Sequence, residues 1–174
     1  MNNEKSATLN IGDIAIRTVL QPGDLGYIAY LHGDIYAREC GYGLNFERYV
    51  LQGLADFASQ YNAGKDRVWI CEHRQQMIGV LVGVNRGDSI QLRYFIFRPE
   101  YRGLGLGKKL MDRFIKYMHE SQINKSYLWT TNEQHAAISL YTRYGFRLTE
   151  EKVSNGFDKE LTERRYDLEL NNKY

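Results

Sequence analysis

Three glycines at every second position, Gly103, Gly105 and Gly107, stand where an apolar, aromatic stretch gives way to an amphipathic one. Alternate glycines at a strand-to-helix junction leave backbone N–H groups uncovered by side chains. The following helix adds its own unpaired N–H groups and the positive end of its dipole. Such a junction accepts an anion, and the usual anion is phosphate or pyrophosphate. A Walker A loop needs glycine, four residues, then Gly-Lys-Ser/Thr. Here Gly107-Lys108 is followed by Lys109, and Arg102 stands where the first glycine is required. A dinucleotide fingerprint needs G-x-G-x-x-G and a carboxylate at the end of the next strand. The spacing here is G-x-G-x-G, and residues 126–131 end in no carboxylate. The pattern that fits is Arg102-x-x-Gly105-x-Gly107, with Leu104, Leu106 and Lys108 offering the intervening amides. A glycine-rich turn without a ligand is the alternative.

The elements that would position this loop can be read from periodicity. Residues 11–20 alternate apolar and polar, as a first strand would. Pro22-Gly23-Asp24 opens a helix over about 25–40, with Asp24 available as its cap and Ile28, Leu31, Ile35 and Tyr36 at helical spacing. After Gly41-Tyr42-Gly43, Asn45 caps a second helix over about 46–61, with Tyr49, Val50, Leu54 and Phe57 along its apolar side. Strands follow at 67–72, 77–84 and 89–97, the first two joined by a polar hairpin turn at 73–76. The helix after the glycine loop runs over about 105–120, burying Leu106, Leu110, Phe114 and Met118. A strand at 126–131, a helix at 133–144 closed by Gly145, and strands at 146–153 and 161–170 complete the chain.

Composition bounds the reading further. The chain of 174 residues fits one domain, expected over 11–174, behind a polar tail, residues 1–10, that is expected to be disordered. A net charge of +2 argues for neither nucleic acid nor an acidic membrane surface. No signal-like segment and no run of about 18 apolar residues is present, so no membrane and a cytoplasmic location are expected. Cys40 and Cys71 make no metal-ligand pattern with the four scattered histidines, and no metal is expected. Fourteen tyrosines hint at a polar-aromatic cavity.

The Arg102-x-x-Gly105-x-Gly107 loop, the β-α-α-β-β-β-α-β-α-β-β order, and the series Asn132, Ala137, Leu140, Tyr141, Gly145 and Phe146 together resemble the GCN5-related N-acetyltransferases. The residues Pro22 to Gly26, His32-Gly33, Leu44-Asn45 and Phe46-Glu47 further resemble acetyltransferase domains fused behind a MarR-type winged helix, although no winged helix is present here. The resemblance implies an α/β (α+β) fold, a mixed and mostly antiparallel twisted sheet with helices on both faces. It also implies acetyl-CoA as cofactor and an acceptor that is a small-molecule amine or a peptide, and it leaves a homodimer open.

The same resemblance assigns candidate roles. Arg102, Gly103, Leu104, Gly105, Leu106, Gly107 and Lys108 would hold the pyrophosphate. The backbone at Phe95, Ile96 and Phe97 would pair with the pantetheine arm, as would the Asn132 side chain; a plain helix N-cap is the alternative role for Asn132, and the two are compatible. Tyr141 would protonate the departing thiolate. The strand at 89–97 lacks the glutamate that some members use as general base, which leaves the base open among Glu72, Glu39, His32, Tyr36 and an ordered water. His32, Tyr36 and Glu39 share one helix face, and with Tyr42 and Phe46 they are candidates for an aromatic acceptor pocket. Glu39 and Glu47 could draw in a cation. The rival reading is a non-catalytic acyl-CoA sensor, and a third is an N-terminal acetyltransferase acting on peptides.

Overall fold

The computed structural model describes residues 11–171; the expectation for residues 1–10 lies outside them. The apolar runs form one seven-stranded sheet in the order β1-β2-β3-β4-β5-β7-β6. Its strands are β1 (Ala15–Arg17), β2 (Arg67–His73), β3 (Gln76–Asn85), β4 (Ile90–Phe97), β5 (Lys125–Thr131), β6 (Arg147–Ser154) and β7 (Leu161–Glu169). Every neighbouring pair is antiparallel except β4 with β5. The mixed, mostly antiparallel sheet is the one that the family resemblance implies.

Four helices pack on the sheet: α1 (Asp24–Cys40), α2 (Leu44–Gln60), α3 (Leu106–Glu120) and α4 (His135–Arg143). They enclose two apolar layers. On one face Ile28, Leu31, Ile35, Val50, Leu54 and Phe57 of α1 and α2 cover Val68, Ile70, Val80 and Val82. On the other, Leu106, Leu110, Phe114 and Met118 of α3 cover Ile78, Leu81, Ile90 and Leu128, and α4 adds Tyr141. The spacings read from the sequence for α1 and α3 are those that reach the core. On α2, Tyr49 stays half exposed while its expected companions are buried.

Several ends differ from expectation for identifiable reasons. The first strand shrinks to three residues behind a short 3-10 turn, Ile11–Asp13. Asp24 does not cap α1 but begins it, its carboxylate accepting from Arg17 at 2.8 and 3.0 Å and from the Gln21 amide at 2.6 Å. Gly43, not Asn45, precedes α2, and the amide of Asn45 donates to Asp158 at 2.9 Å. Gln134 precedes α4, and the Asn132 side chain instead accepts from the Thr162 amide at 3.0 Å, so Asn132 is not the helix cap.

Two features of β4 set up the site. At Tyr94 the backbone turns to φ +53, a conformation non-glycine residues seldom adopt, and the β3–β4 register shifts there. The bulge reverses which face the alternate residues enter. Ile90 and Leu92 point to the α3 layer, whereas Tyr94 and Ile96 point to the α1–α2 layer. In addition, β4 pairs with β5 only at Ile90↔Ser126 and Gln91↔Tyr127, so beyond Gln91 the two parallel strands part.

Candidate functional site

Gly103 and Gly105 adopt φ +76 and +79, and a Cβ at either would meet nothing within 4 Å. Side chains are therefore excluded by backbone conformation and not by crowding, and the outer surface of the loop stays bare. Gly105 is the residue before α3. The backbone N–H groups of residues 103–108 make no hydrogen bond within the described residues, apart from the turn that ends at Arg102. Arg102 braces this turn. Its Nε donates to the Phe97 carbonyl at 3.1 Å, and its Nη1 donates to both Glu39 oxygens at 2.8 and 3.0 Å. The Lys108 side chain is drawn to Asp112 at 3.0 Å, leaving its amide as its contribution to the loop. Leu106, the first residue of α3, is buried in the layer between that helix and the sheet.

The parted strands lead from this loop into a cavity of about 130 Å³. Tyr141 and Ala137 of α4, Phe95 of β4 and Thr131 of β5 line it on one side. His32 and Tyr36 of α1, Tyr42 and Phe46 around the start of α2, and Phe157 of the β6–β7 loop line it on the other. Tyr36 and Tyr42 stack at 5.6 Å with 9° between their planes, and Phe46 meets both edge-on at 5.1 and 5.0 Å. Phe157 closes the box 4.9 Å from Phe46. The Tyr42 hydroxyl bonds Thr131 Oγ1 at 2.7 Å, which ties the wall to the end of β5.

Tyr141 is 5% exposed and its ring lies 6.2 Å from Phe95 and 6.0 Å from Phe146. Its hydroxyl has no hydrogen-bond partner among the described residues. Burial, with a smaller contribution from Tyr36, pushes its pKa far above the ordinary phenol value, so it is protonated at any physiological pH. His32 is held by its Nδ1–H, which donates to the Ile28 carbonyl at 2.8 Å. Burial, and then the charge of Arg93, lowers its pKa to about 4, so the ring is neutral.

The sequence candidates thus divide. Tyr141, Phe95, His32, Tyr36, Tyr42 and Phe46 come together around one cavity. Ile96 turns into the α1–α2 layer, and Phe97 is half-buried near the loop. Asn132 joins β5 to β7. Glu39 leaves the pocket face to pair with Arg102, and Glu72 is held by Arg17 at 2.9 Å, so neither acidic candidate reaches the cavity. Glu47 packs against Gly33 instead. Sequence reasoning gave no role to Arg93, Tyr94 or Glu163, and it reached Phe157 only as part of the 153–160 loop, which the resemblance puts at the acceptor pocket; all four line the cavity. Glu163 sits in β7 opposite Thr131, its carboxylate 3.3 Å from Lys152.

The split sheet and the bare loop at the start of α3 define an open-sheet α/β protein built around an anion-accepting junction. The chain belongs to the acetyltransferase (GNAT) family, whose profile matches residues 33–146. It is 28% identical over 102 residues to rat N-acetyltransferase family 8 member 2, covering 55% of this chain and 45% of that protein. It is 33% identical over 73 residues to the spermine/spermidine N(1)-acetyltransferase of Bacillus subtilis, covering 41% and 48%. The chain spans about half the length of the curated relatives it matches. Among solved structures, a GNAT-family acetyltransferase from Staphylococcus aureus superposes with a TM-score of 0.71 at 21% identity, covering 91% of this chain and 99% of that one. One from Elizabethkingia anophelis, solved with acetyl-CoA bound, superposes at 0.58 and 17% identity, covering 91% and 99%. No described helix is long and apolar enough to cross a membrane.

Proposed function

We propose that this chain is an acetyl-CoA-dependent N-acetyltransferase that moves an acetyl group directly to a primary amine. The carrying observation is the Tyr141 hydroxyl, unpartnered and protonated, in a cavity beside the unpaired edge of β4. The residues present suit the cofactor. The amides of residues 103–108 match a pyrophosphate, and the free edge of β4 from Phe95 to Phe97 matches an extended amide-bearing arm. Acetyl-CoA supplies an acyl thioester activated toward nitrogen.

The protein's own groups do the rest. The backbone N–H groups beside Phe95 would donate to an acyl oxygen placed there and so polarise it. The aromatic box excludes water and holds the amine against the acyl carbon. Tyr141 is the group that would protonate a departing thiolate, regaining its proton from solvent. The nitrogen loses its proton to Glu163, the only carboxylate that lines the cavity among the described residues, directly or through water. His32 is a poorer acceptor, because burial resists its protonation.

Calorimetric titration with acetyl-CoA tests the foundation. The expected result is micromolar binding that Gly105→Val weakens at least tenfold, because an L side chain at φ +79 costs roughly 1–2 kcal/mol and covers the amides. No binding to the unaltered protein at hundreds of micromolar would overturn the reading.

A further inference from the structure

The cavity wall carries two formal charges, Arg93 and Glu163. Glu163 has a cation beside it in Lys152, at 3.3 Å. Arg93 has no ion-pair partner among the described residues; its guanidinium lies over the Tyr94 ring, 4.8 Å from the centroid. The Tyr94 hydroxyl is likewise buried without a hydrogen-bond partner, in a residue only 8% exposed. These two groups converge. A Cβ built on Gly53 of α2 would lie 2.5 Å from Arg93 Nη2 and 2.9 Å from the Tyr94 oxygen, so the helix provides room for both there. The nearby carboxylate of Asp56 on α2 makes no ion pair with Arg93. Behind this wall Arg86 donates to Gln91 Oε1 at 3.0 and 2.7 Å, adding another positive charge.

We propose that the acceptor is a small primary amine that also carries a carboxylate, held by the Arg93 guanidinium. This deepens, and rests on, the acetyltransferase reading. A guanidinium on the cavity wall without an ion-pair partner matches an anion, since it gains from a carboxylate oxygen placed beside it. The stacked Tyr36 and Tyr42 rings with Phe46 and Phe157 take an apolar or aromatic body. The amine is directed toward Glu163, which lies two strands from Arg93 in the sheet order, across the split between β4 and β5. A polyamine fits poorly. Its second cation would face Arg93 and a histidine that burial keeps neutral, and the acidic side chains expected to attract it, Glu39 and Glu47, lie elsewhere.

The test is CoA release from acetyl-CoA with matched acceptor pairs: phenylalanine with phenethylamine, methionine with 3-methylthiopropylamine, and spermidine beside them. The acids should exceed their decarboxylated partners in kcat/KM by roughly 10- to 100-fold. Arg93→Gln should bring each pair close to parity, with the loss falling on the acid. If Arg93→Gln fails to fold, Arg93→Lys and the ratios of the unaltered protein carry the test. Transfer to spermidine or to the decarboxylated amines at least as fast as to the acids overturns this proposal and leaves the acetyltransferase reading standing. Acetyl-CoA binding without transfer to any amine overturns both.

Discussion

Replacing Tyr141 by phenylalanine removes one oxygen and little else. The hydroxyl makes no hydrogen bond among the described residues and faces the cavity, so its loss leaves no orphaned donor or acceptor behind. Stability should stay within about 1 kcal/mol, a shift of no more than about 4 °C in Tm for a chain of this size. The ring remains to pack on Phe95 and Phe146, 6.2 and 6.0 Å away, so acetyl-CoA affinity should change less than about twofold. The proton for the leaving sulfur, however, then has to come from water in a cavity whose walls are largely aromatic. Loss of a positioned general acid costs roughly 10²- to 10⁴-fold in rate. Single-turnover release of CoA thiol, measured beside a melting curve and a binding titration, separates the three quantities. A variant with full turnover would refute the assignment. So would one whose turnover falls only in step with lost affinity or lost stability, since Tyr141 would then be a packing residue. An acyl-CoA sensor predicts the first of these outcomes.

Two further predictions concern ionisable groups around the cavity. Glu163→Gln keeps the shape of the wall and removes the only carboxylate lining it among the described residues, so kcat/KM for the amine should fall about 10- to 100-fold with acetyl-CoA affinity unchanged; an unaltered rate would return the proton to bulk water alone. The second concerns acid stability. His32 has its pKa lowered to about 4 by burial and by Arg93, from an ordinary value near 6.5. The unfolded chain therefore binds a proton in a window where the native chain does not. Stability from this residue is complete above pH 6.5 and is lost as pH falls toward 4, by roughly 3 kcal/mol in all. Urea titrations from pH 7 to pH 4 should show a shallower decline for His32→Gln than for the unaltered protein, and parallel declines would refute this.

What the sequence revealed depended on whether residue identity alone constrains the backbone. Gly103 and Gly105 could be read because positive φ is what glycine permits, and the apolar stripe of α3 because its period matches a helix. The bulge at Tyr94 could not be read, because no propensity places a tyrosine at φ +53 and only the surrounding layers enforce it. Its consequences were equally hidden: a strand that changes faces midway, and Arg93 placed on the cavity wall. Glu163 was obscured by lying in a regular strand whose register with β5 is set by distant residues. Phe157 was legible only as part of the 153–160 loop, because the path of that loop depends on a contact between Asn45 and Asp158. Asp24, Asn45 and Asn132 were legible as capping types, yet each found a tertiary partner that outcompetes the local one.

The short β4–β5 ladder also bears on mechanical behaviour. With main-chain rungs only at Ile90 and Gln91, the β1–β4 and β5–β7 portions of the sheet are joined at one end, like a clothes peg with its spring at Ser126. Closure further along depends on side chains, chiefly Leu92 and Leu128 beneath α3, rather than on amide pairing. A ligand lying along Phe95 to Phe97 adds rungs the polypeptide lacks, and so acts as a removable strand. Its arrival should raise melting temperature with concentration and slow amide exchange at both lips of the opening. A cofactor bound there would serve the chain as tertiary structure as well as reagent.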